Sequence, residues 1–340
     1  MSLMSWIVIH RILIDALKTY MDDSFSYDLA SCQLYYAPYA CYFPAKQTCL
    51  LWLWDNIGLP HECPKQIFSL LLTVIGFDVD SNAMSAMLPK DKKRELVAHL
   101  RRFAGKGFRW LLREYQQLGG LCEWSSNIFP LLKPGLSAIY EKICGKTEPF
   151  ARLHVNKSII HELLWMADHV DHSQSLLLYK SLDFSLASDD IIVAYTDASG
   201  VGLGLWFPDE DFACQCLLPG DSPKDTIFFA EALAVCSAIH AIETMPKTPQ
   251  CMLIYIDNTN VVCMFNSLHV HPPYNSILMS ATDVLLKHDV DLWVEHVSGV
   301  ENNVADALSC FQNERVYRFT PNMQIYNFEP PQNALGGAEK

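Results

Sequence analysis

The chain has 340 residues, half of them apolar and 19% charged, with a formal charge of −13. This length suits two or so domains that each bury a core, and the composition excludes a disordered chain. The net charge runs against nucleic-acid binding, but it is unevenly spread: residues 1–89 carry −4, residues 90–157 carry +8 and residues 158–340 carry −17.

In chain order, residues 12–17 predict a short helix and 19–25 a strand–turn–strand around Asp22 and Asp23. Residues 49–57 predict a helix closed by Gly58, and 68–79 a β-rich stretch broken at Gly76. Residues 90–104 read as an amphipathic helix. Leu96, Val97, Leu100 and Phe103 recur at helical spacing, and Lys90, Lys92, Lys93, Arg94, Arg101 and Arg102 load the other side. Lys106, Arg109 and Arg113 continue the basic run. A solvated face is the ordinary fate of such a run; a helix laid along a phosphate backbone is the other reading.

Helices follow over 111–124, 132–143 (with Pro134 in the first turn) and 158–169. From Ile191 the pattern changes to three short strands, 191–195, 202–206 and 214–218. A helix over 227–242, a buried strand over 252–256, a helix over 273–287, a strand over 292–295 and a helix over 304–310 complete the series. Beyond about residue 312 periodicity is lost and a tail is expected.

The twelve cysteines are scattered with no C-x-x-C pair, which favours reduced thiols and an intracellular, cytoplasmic or nuclear setting. Cys214 and Cys216 share a strand face but lack two further ligands for a metal. His169, His172, Asp168 and Asp171 read as a solvated helix end rather than a zinc site. No run approaches 18 consecutive apolar residues and the stretch 6–9 is too short for a signal-peptide core, so neither a membrane span nor a membrane partner is expected.

Four carboxylates stand at the ends or first turns of the later elements. Asp197 closes the first strand, Glu231 lies early in the helix that follows the meander, Asp257 closes the central strand, and Asp306 opens the last helix. If the strands of Asp197 and Asp257 are parallel neighbours, both carboxylates emerge at the edge where open α/β sheets place ligands. Clustered carboxylates repel one another unless protonated or bridged by divalent cations. Two Mg²⁺ ions roughly 3.5–4 Å apart, or Mn²⁺ in their place, would bridge them and clamp the oxygens of a phosphodiester. His296, ten residues before Asp306, is expected on a mobile loop where its imidazole could carry a proton.

The order strand-Asp, helix-Glu, strand-Asp, then His-x9-Asp resembles a type-I ribonuclease H domain of the retroelement kind. The resemblance covers about residues 185–312, with motifs at 195–200, 230–234, 256–258 and 296–309. It implies a five-stranded mixed sheet with flanking helices, Asp197, Glu231, Asp257 and Asp306 as metal ligands, and His296 as the mobile histidine. Tyr20-Met21-Asp22-Asp23 resembles the catalytic hairpin of reverse transcriptases; residues 53–65 and 72–80 resemble the palm segments after it, and the basic helices resemble a thumb. Residues 130–136 and 164–169 are similar to segments of fungal retrotransposon polyproteins. Only 19 residues precede Tyr20, so the upstream palm Asp that polymerase chemistry needs is missing, and Tyr20, Asp22 and Asp23 are expected to be vestigial.

The expected architecture is therefore α+β and α/β. It comprises a truncated palm over 1–88, a mainly helical thumb and connection over 89–182, an RNase H-like domain over 183–312 and a tail over 313–340. The resemblance implies Mg²⁺-dependent hydrolysis of the RNA strand of RNA–DNA hybrids, with nucleic acid and an upstream polymerase fragment as partners. The rival readings are a non-catalytic nucleic-acid-binding remnant and a subunit of a complete RNA-directed DNA polymerase.

Overall fold

A computed structural model of the chain describes residues 3–14, 17–21, 23–173, 176–178, 190–220 and 227–335. It divides into two compact units, Met1–Asp91 with Gln174–Tyr179, and Lys92–Ser173 with Lys180–Lys340.

The first unit opens with helix α1 (Leu3–His10). The described residues of the helix expected over 12–17 are not helical: Leu13 takes a positive φ, which L-residues with bulky side chains adopt only outside helices. Strands β1 (Lys18–Tyr20) and β2 (Asp23–Phe25) form the expected hairpin, with Tyr20 opposite Asp23. A second hairpin, β3 (Gln33–Tyr36) with β4 (Cys41–Pro44), precedes helix α2 (Ala45–Ile57), which ends at Gly58 as expected. Tyr36, Phe43 and Leu51 pack in one small core; Val8, Ile14, Leu17 and Leu50 pack in another. The β-rich stretch is the hairpin β5 (Leu71–Val74) and β6 (Phe77–Asp80). With β7 (Ser85–Met87) and a strand from much later in the chain, β10 (Leu176–Leu178), it makes an antiparallel sheet of order β10-β7-β6-β5.

The basic helix α3 (Lys90–Phe103) buries Leu96, Val97, Leu100 and Phe103, the stripe its sequence predicts. After β8 (Arg109–Leu111) comes α4 (Leu112–Ser125). The single helix expected over 132–143 is two pieces, a 3-10 segment Pro130–Leu136 and helix α5 (Ser137–Ile143). Pro134 lies inside the first piece, where a missing N–H and a clashing ring forbid a regular α-turn. Strand β9 (Arg152–His154) pairs antiparallel with β8, and Asn156 caps helix α6 (Lys157–His172) by accepting from the Ile159 N–H at 2.9 Å.

The large sheet begins with the meander β11 (Ile191–Ala198), β12 (Gly202–Phe207) and β13 (Phe212–Leu217), all antiparallel. Helix α7 (Ile227–Ala241) leads to β14 (Cys251–Ile256), parallel to β11. Helices α8 (Thr259–Ser267) and α9 (Asn275–His288) lead to β15 (Asp291–His296), parallel to β14. These five strands, in the order β15-β14-β11-β12-β13, form an RNase H-like mixed sheet with flanking helices. A sixth strand extends it. Helix α10 (Asn303–Ser309) is followed by α11 (Asn313–Phe319) and β16 (Gln324–Asn327), which pairs parallel with β13. The stretch expected as a tail is therefore ordered to residue 335, and Ala334 reaches the core.

Eleven of the fifteen α7 residues are buried. By length and composition Ile227–Thr244 would pass for a membrane span, but 67% of it is buried within the fold, and a core helix is apolar all round for that reason. All twelve cysteines are free thiols.

Candidate metal centre

The parallel register of β11 and β14, Tyr195 opposite Tyr255, brings Asp197 level with Asp257 just past the end of β14. Helix α7 packs across β11 and β12 and points Glu231 at the same edge. Asp197, Glu231 and Asp257 each offer a carboxylate oxygen, and these oxygens lie within 4.8 Å of one another. Asp197 is 6% exposed and Glu231 5%, whereas Asp257 stands open to solvent.

Burial dominates the electrostatics. It pushes the Asp197 carboxyl up to about 7, helped by the charges of Asp257 and Asp306 and opposed by a hydrogen bond from Ser309. It pushes Glu231 up to about 9, helped by Asp197 and Asp257 and opposed by the Ala198 N–H. The Glu231 Oε2 atom is buried without a hydrogen-bond partner. A buried oxygen left unsatisfied beside two further carboxylates is costly unless a cation completes it, and three hard oxygen donors suit Mg²⁺ or Mn²⁺. The residues present therefore fit a divalent ion.

Helix α10 closes one side of the centre. Gly204, opposite Asp197 in the β11–β12 pairing, has no side chain to hold the helix off: a Cβ there would lie 2.4 Å from the Ala305 carbonyl oxygen and 2.6 Å from the Ser309 nitrogen. The close approach lets the Ser309 hydroxyl donate to Asp197 Oδ2 at 2.6 Å and to the Asp306 carbonyl at 2.9 Å. Asn302 Nδ2 donates to the Thr196 carbonyl at 2.9 Å and ties the start of the helix to β11. Glycine at 299 brings the preceding loop beside Asp257, with 3.4 Å between the position of a Cβ and Oδ2.

Asp306 is outside the group of three. Its Oδ2 accepts from Arg315 Nη1 at 2.6 Å, and Arg315 Nη2 donates to Asn303 Oδ1 at 3.0 Å. His296 is exposed and is the last residue of β15, opposite Ile256, rather than a loop residue. Continued pairing of β15 with β14 to its last residue is what holds it in the strand.

Of the polymerase-like residues, Tyr20 and Asp23 are exposed at the β1–β2 turn and Asp22 lies outside the described residues. Among the described residues, only Asp197, Glu231 and Asp257 bring three potential ligands together.

The basic residues divide. Lys92 pairs with Glu95 at 3.0 Å, Lys93 donates to the Ser173 carbonyl, and Arg101 is shared by Asp168 and Asp171 at 3.1 and 2.8 Å. The acidic helix end is thus partly neutralised by α3. Lys90 and Arg94 are exposed on the same helix. Arg102 stacks over Trp110 at 5.3 Å and Arg113 over Phe150 at 5.2 Å. Lys106 and Arg109 are exposed, and Arg152 on β9, not singled out from sequence, joins them across the β8–β9 ribbon.

Ser309, Gly204 and Arg315 also escaped sequence reading. Ser309 sits within the 296–309 motif, and Arg315 with Arg318 interrupts an otherwise cation-free stretch from 288 to 339. Neither signal says which carboxylate the side chain reaches.

No family model matches the chain, and no curated protein matches it. Solved structures do. LC11-RNase H1 in complex with an RNA/DNA hybrid is 18% identical, with 34% of this chain and 92% of that one covered and a TM-score of 0.31. RNase H1 from the halophilic archaeon Halobacterium salinarum NRC-1 is 18% identical, covering 36% and 98%, with a TM-score of 0.29. The foamy viral protease-reverse transcriptase dRH in complex with double-stranded DNA is 12% identical, covering 86% of this chain, with a TM-score of 0.36. This chain spans 48% of that protein. Likeness at this level decides no activity; the strand order and the carboxylate geometry stand without it.

Proposed function

We propose that the chain is a nuclease of the RNase H type, hydrolysing the RNA strand of RNA–DNA hybrids with divalent metal, in a retroelement-derived chain that also carries part of a reverse-transcriptase-like polymerase. The observation that carries this reading is the convergence of Asp197, Glu231 and Asp257 around an oxygen of Glu231 that no group among the described residues satisfies. Asp197, Glu231 and Asp257 would hold the ion, which supplies an activated water and neutralises charge on the phosphate.

The protein's own residues set the rest. Ser309 fixes the orientation of Asp197. Asp257, at the exposed mouth, faces the side from which a phosphodiester arrives. His296, at the end of the neighbouring strand, is exposed and can exchange a proton with the leaving oxygen. Arg102, Lys106, Arg109, Arg113 and Arg152 are exposed cations that would meet the phosphate backbone, and hybrid would be read by groove shape and 2′-hydroxyls. Tyr20, Asp22 and Asp23 are read as vestigial and are given no part in this hydrolysis.

The test is cleavage of a labelled RNA–DNA hybrid by the full chain with Mg²⁺, with Mn²⁺ and with chelator. Asp257→Asn is expected to lower the rate at least about a hundredfold with a thermal midpoint no lower than the native chain's, because Asp257 is exposed and its charge is repelled by Asp197 and Glu231. Equal rates for the variant and the native chain would reject the assignment, and the same preparation is expected to extend no primer.

A further inference from the structure

The Arg315–Asp306 pair is the one strong polar contact at the centre that the proposed reaction does not use. Helix α11 is anchored by Val316, which is fully buried against Val304, Leu308 and Met323. Arg315 therefore reaches Asp306 from a fixed base, and its two nitrogens hold both Asp306 and Asn303 of α10. Asp306 lies close enough for its charge to act on Asp197, yet its carboxylate is committed to the guanidinium and not to the group of three. A guanidinium and a divalent ion cannot share one carboxylate oxygen without repulsion.

We propose that Arg315 is a positioning residue that holds Asp306 as an internal counter-cation. The centre would then take one divalent ion tightly at Asp197, Glu231 and Asp257, and Asp306 would become available to a second only when the guanidinium leaves it. This rests on the metal-dependent reading above. The pair is half-exposed, with Arg315 35% and Asp306 43% accessible, so the guanidinium can leave into solvent without unfolding α11.

The test is Mn²⁺ binding to the full chain by calorimetry, read as stoichiometry and affinity rather than as activity. The native chain is expected to bind one ion tightly. Arg315→Gln is expected to strengthen the second site by about twofold to fivefold, the size of a half-exposed ion pair. Arg315→Gln with Asp306→Asn is expected to return to one ion. Asp306→Asn alone, which leaves α11 and its buried Val316 untouched, is expected to keep the tight site. Identical second-site binding in the native chain and Arg315→Gln would overturn the proposal, as would loss of the tight site in Asp306→Asn. Absence of any Mn²⁺ binding by the folded native chain would instead overturn the metal-dependent reading beneath it.

Discussion

Glu162 shows how one buried side chain couples a helical segment to pH. It is 4% exposed and lies on α6, where Oε2 accepts from the Ala138 N–H at 2.7 Å and Oε1 from Asn275 Nδ2 at 2.8 Å. Burial nevertheless wins over both bonds and pushes its carboxyl from 4.5 up to about 7. The folded chain therefore holds a proton between those values that the unfolded chain releases. Its contribution is fully present below about pH 4.5 and is lost as pH rises through 7, on the order of 3 kcal/mol over that window. A protonated carboxyl, like an introduced amide, keeps an oxygen that can accept from the Ala138 N–H. Glu162→Gln is expected to flatten this component, read as a smaller fall in denaturation midpoint between pH 5 and pH 8 than the native chain shows. Asp197 and Glu231 act in the same direction in metal-free protein, so the difference between the two chains is what counts. At this scale the sequence was a partial guide. Asp197, Glu231 and Asp257 stand out because each ends or opens a strongly patterned element. Asp306 stands out equally, but the arginine that claims it comes from the next helix, and Glu162 carries no such sign because one of the partners that hold it, Asn275, is over a hundred residues away.

Elements with a long local pattern were legible, and elements held by distant partners were not. Helices α3, α4, α6, α7 and α9 and strands β11, β12, β14 and β15 fall within a few residues of expectation, since their stripes or apolar runs are intrinsic. Helix α8 was missed; its start depends on Asn258, whose side chain accepts from the Asn260 and Val261 N–H groups. Strands β8, β9 and β16 have three or four residues each and exist through pairing alone. The contact between α10 and β12 is the element-scale feature on which the site depends, and Gly204 permits it. Gly204→Ala would drive a methyl into the α10 backbone, which no rotamer change can relieve. A loss of about 1–3 kcal/mol is expected, with a lower thermal midpoint and reduced hybrid cleavage as Ser309 is pushed from Asp197. Gly200→Ala, where a Cβ meets nothing within 4 Å, is the control and should leave both measurements unchanged.

At the scale of the whole molecule, the expected boundary at 182/183 lies outside the described residues. Residues 92–173 belong with the large sheet in one unit, and only Gln174–Tyr179 returns to the first. Side chains tie the helical segment to the large sheet. Ser137 donates to the Val270 carbonyl at 2.7 Å, Asn275 to the Pro134 carbonyl and to Glu162, each at 2.8 Å, and Trp165 to Asp283 at 2.7 Å. The first three are buried, and all cross more than a hundred residues of sequence, which no local pattern reveals. A fragment beginning at residue 183 would leave the Val270 carbonyl and the Asn275 amide without their partners and would bare the α9 face that meets the 3-10 segment. Bonds passed to water cost about 0.5–1.5 kcal/mol each, and the apolar surface left bare adds to that loss. A fragment of residues 92–340 keeps every one of these bonds. The shorter fragment is therefore expected to melt well below the longer one and to bind a hydrophobic dye at temperatures where the longer one does not. Equal midpoints for the two would show that residues 183–340 stand alone and that the helical segment contributes nothing to the sheet that carries the carboxylates.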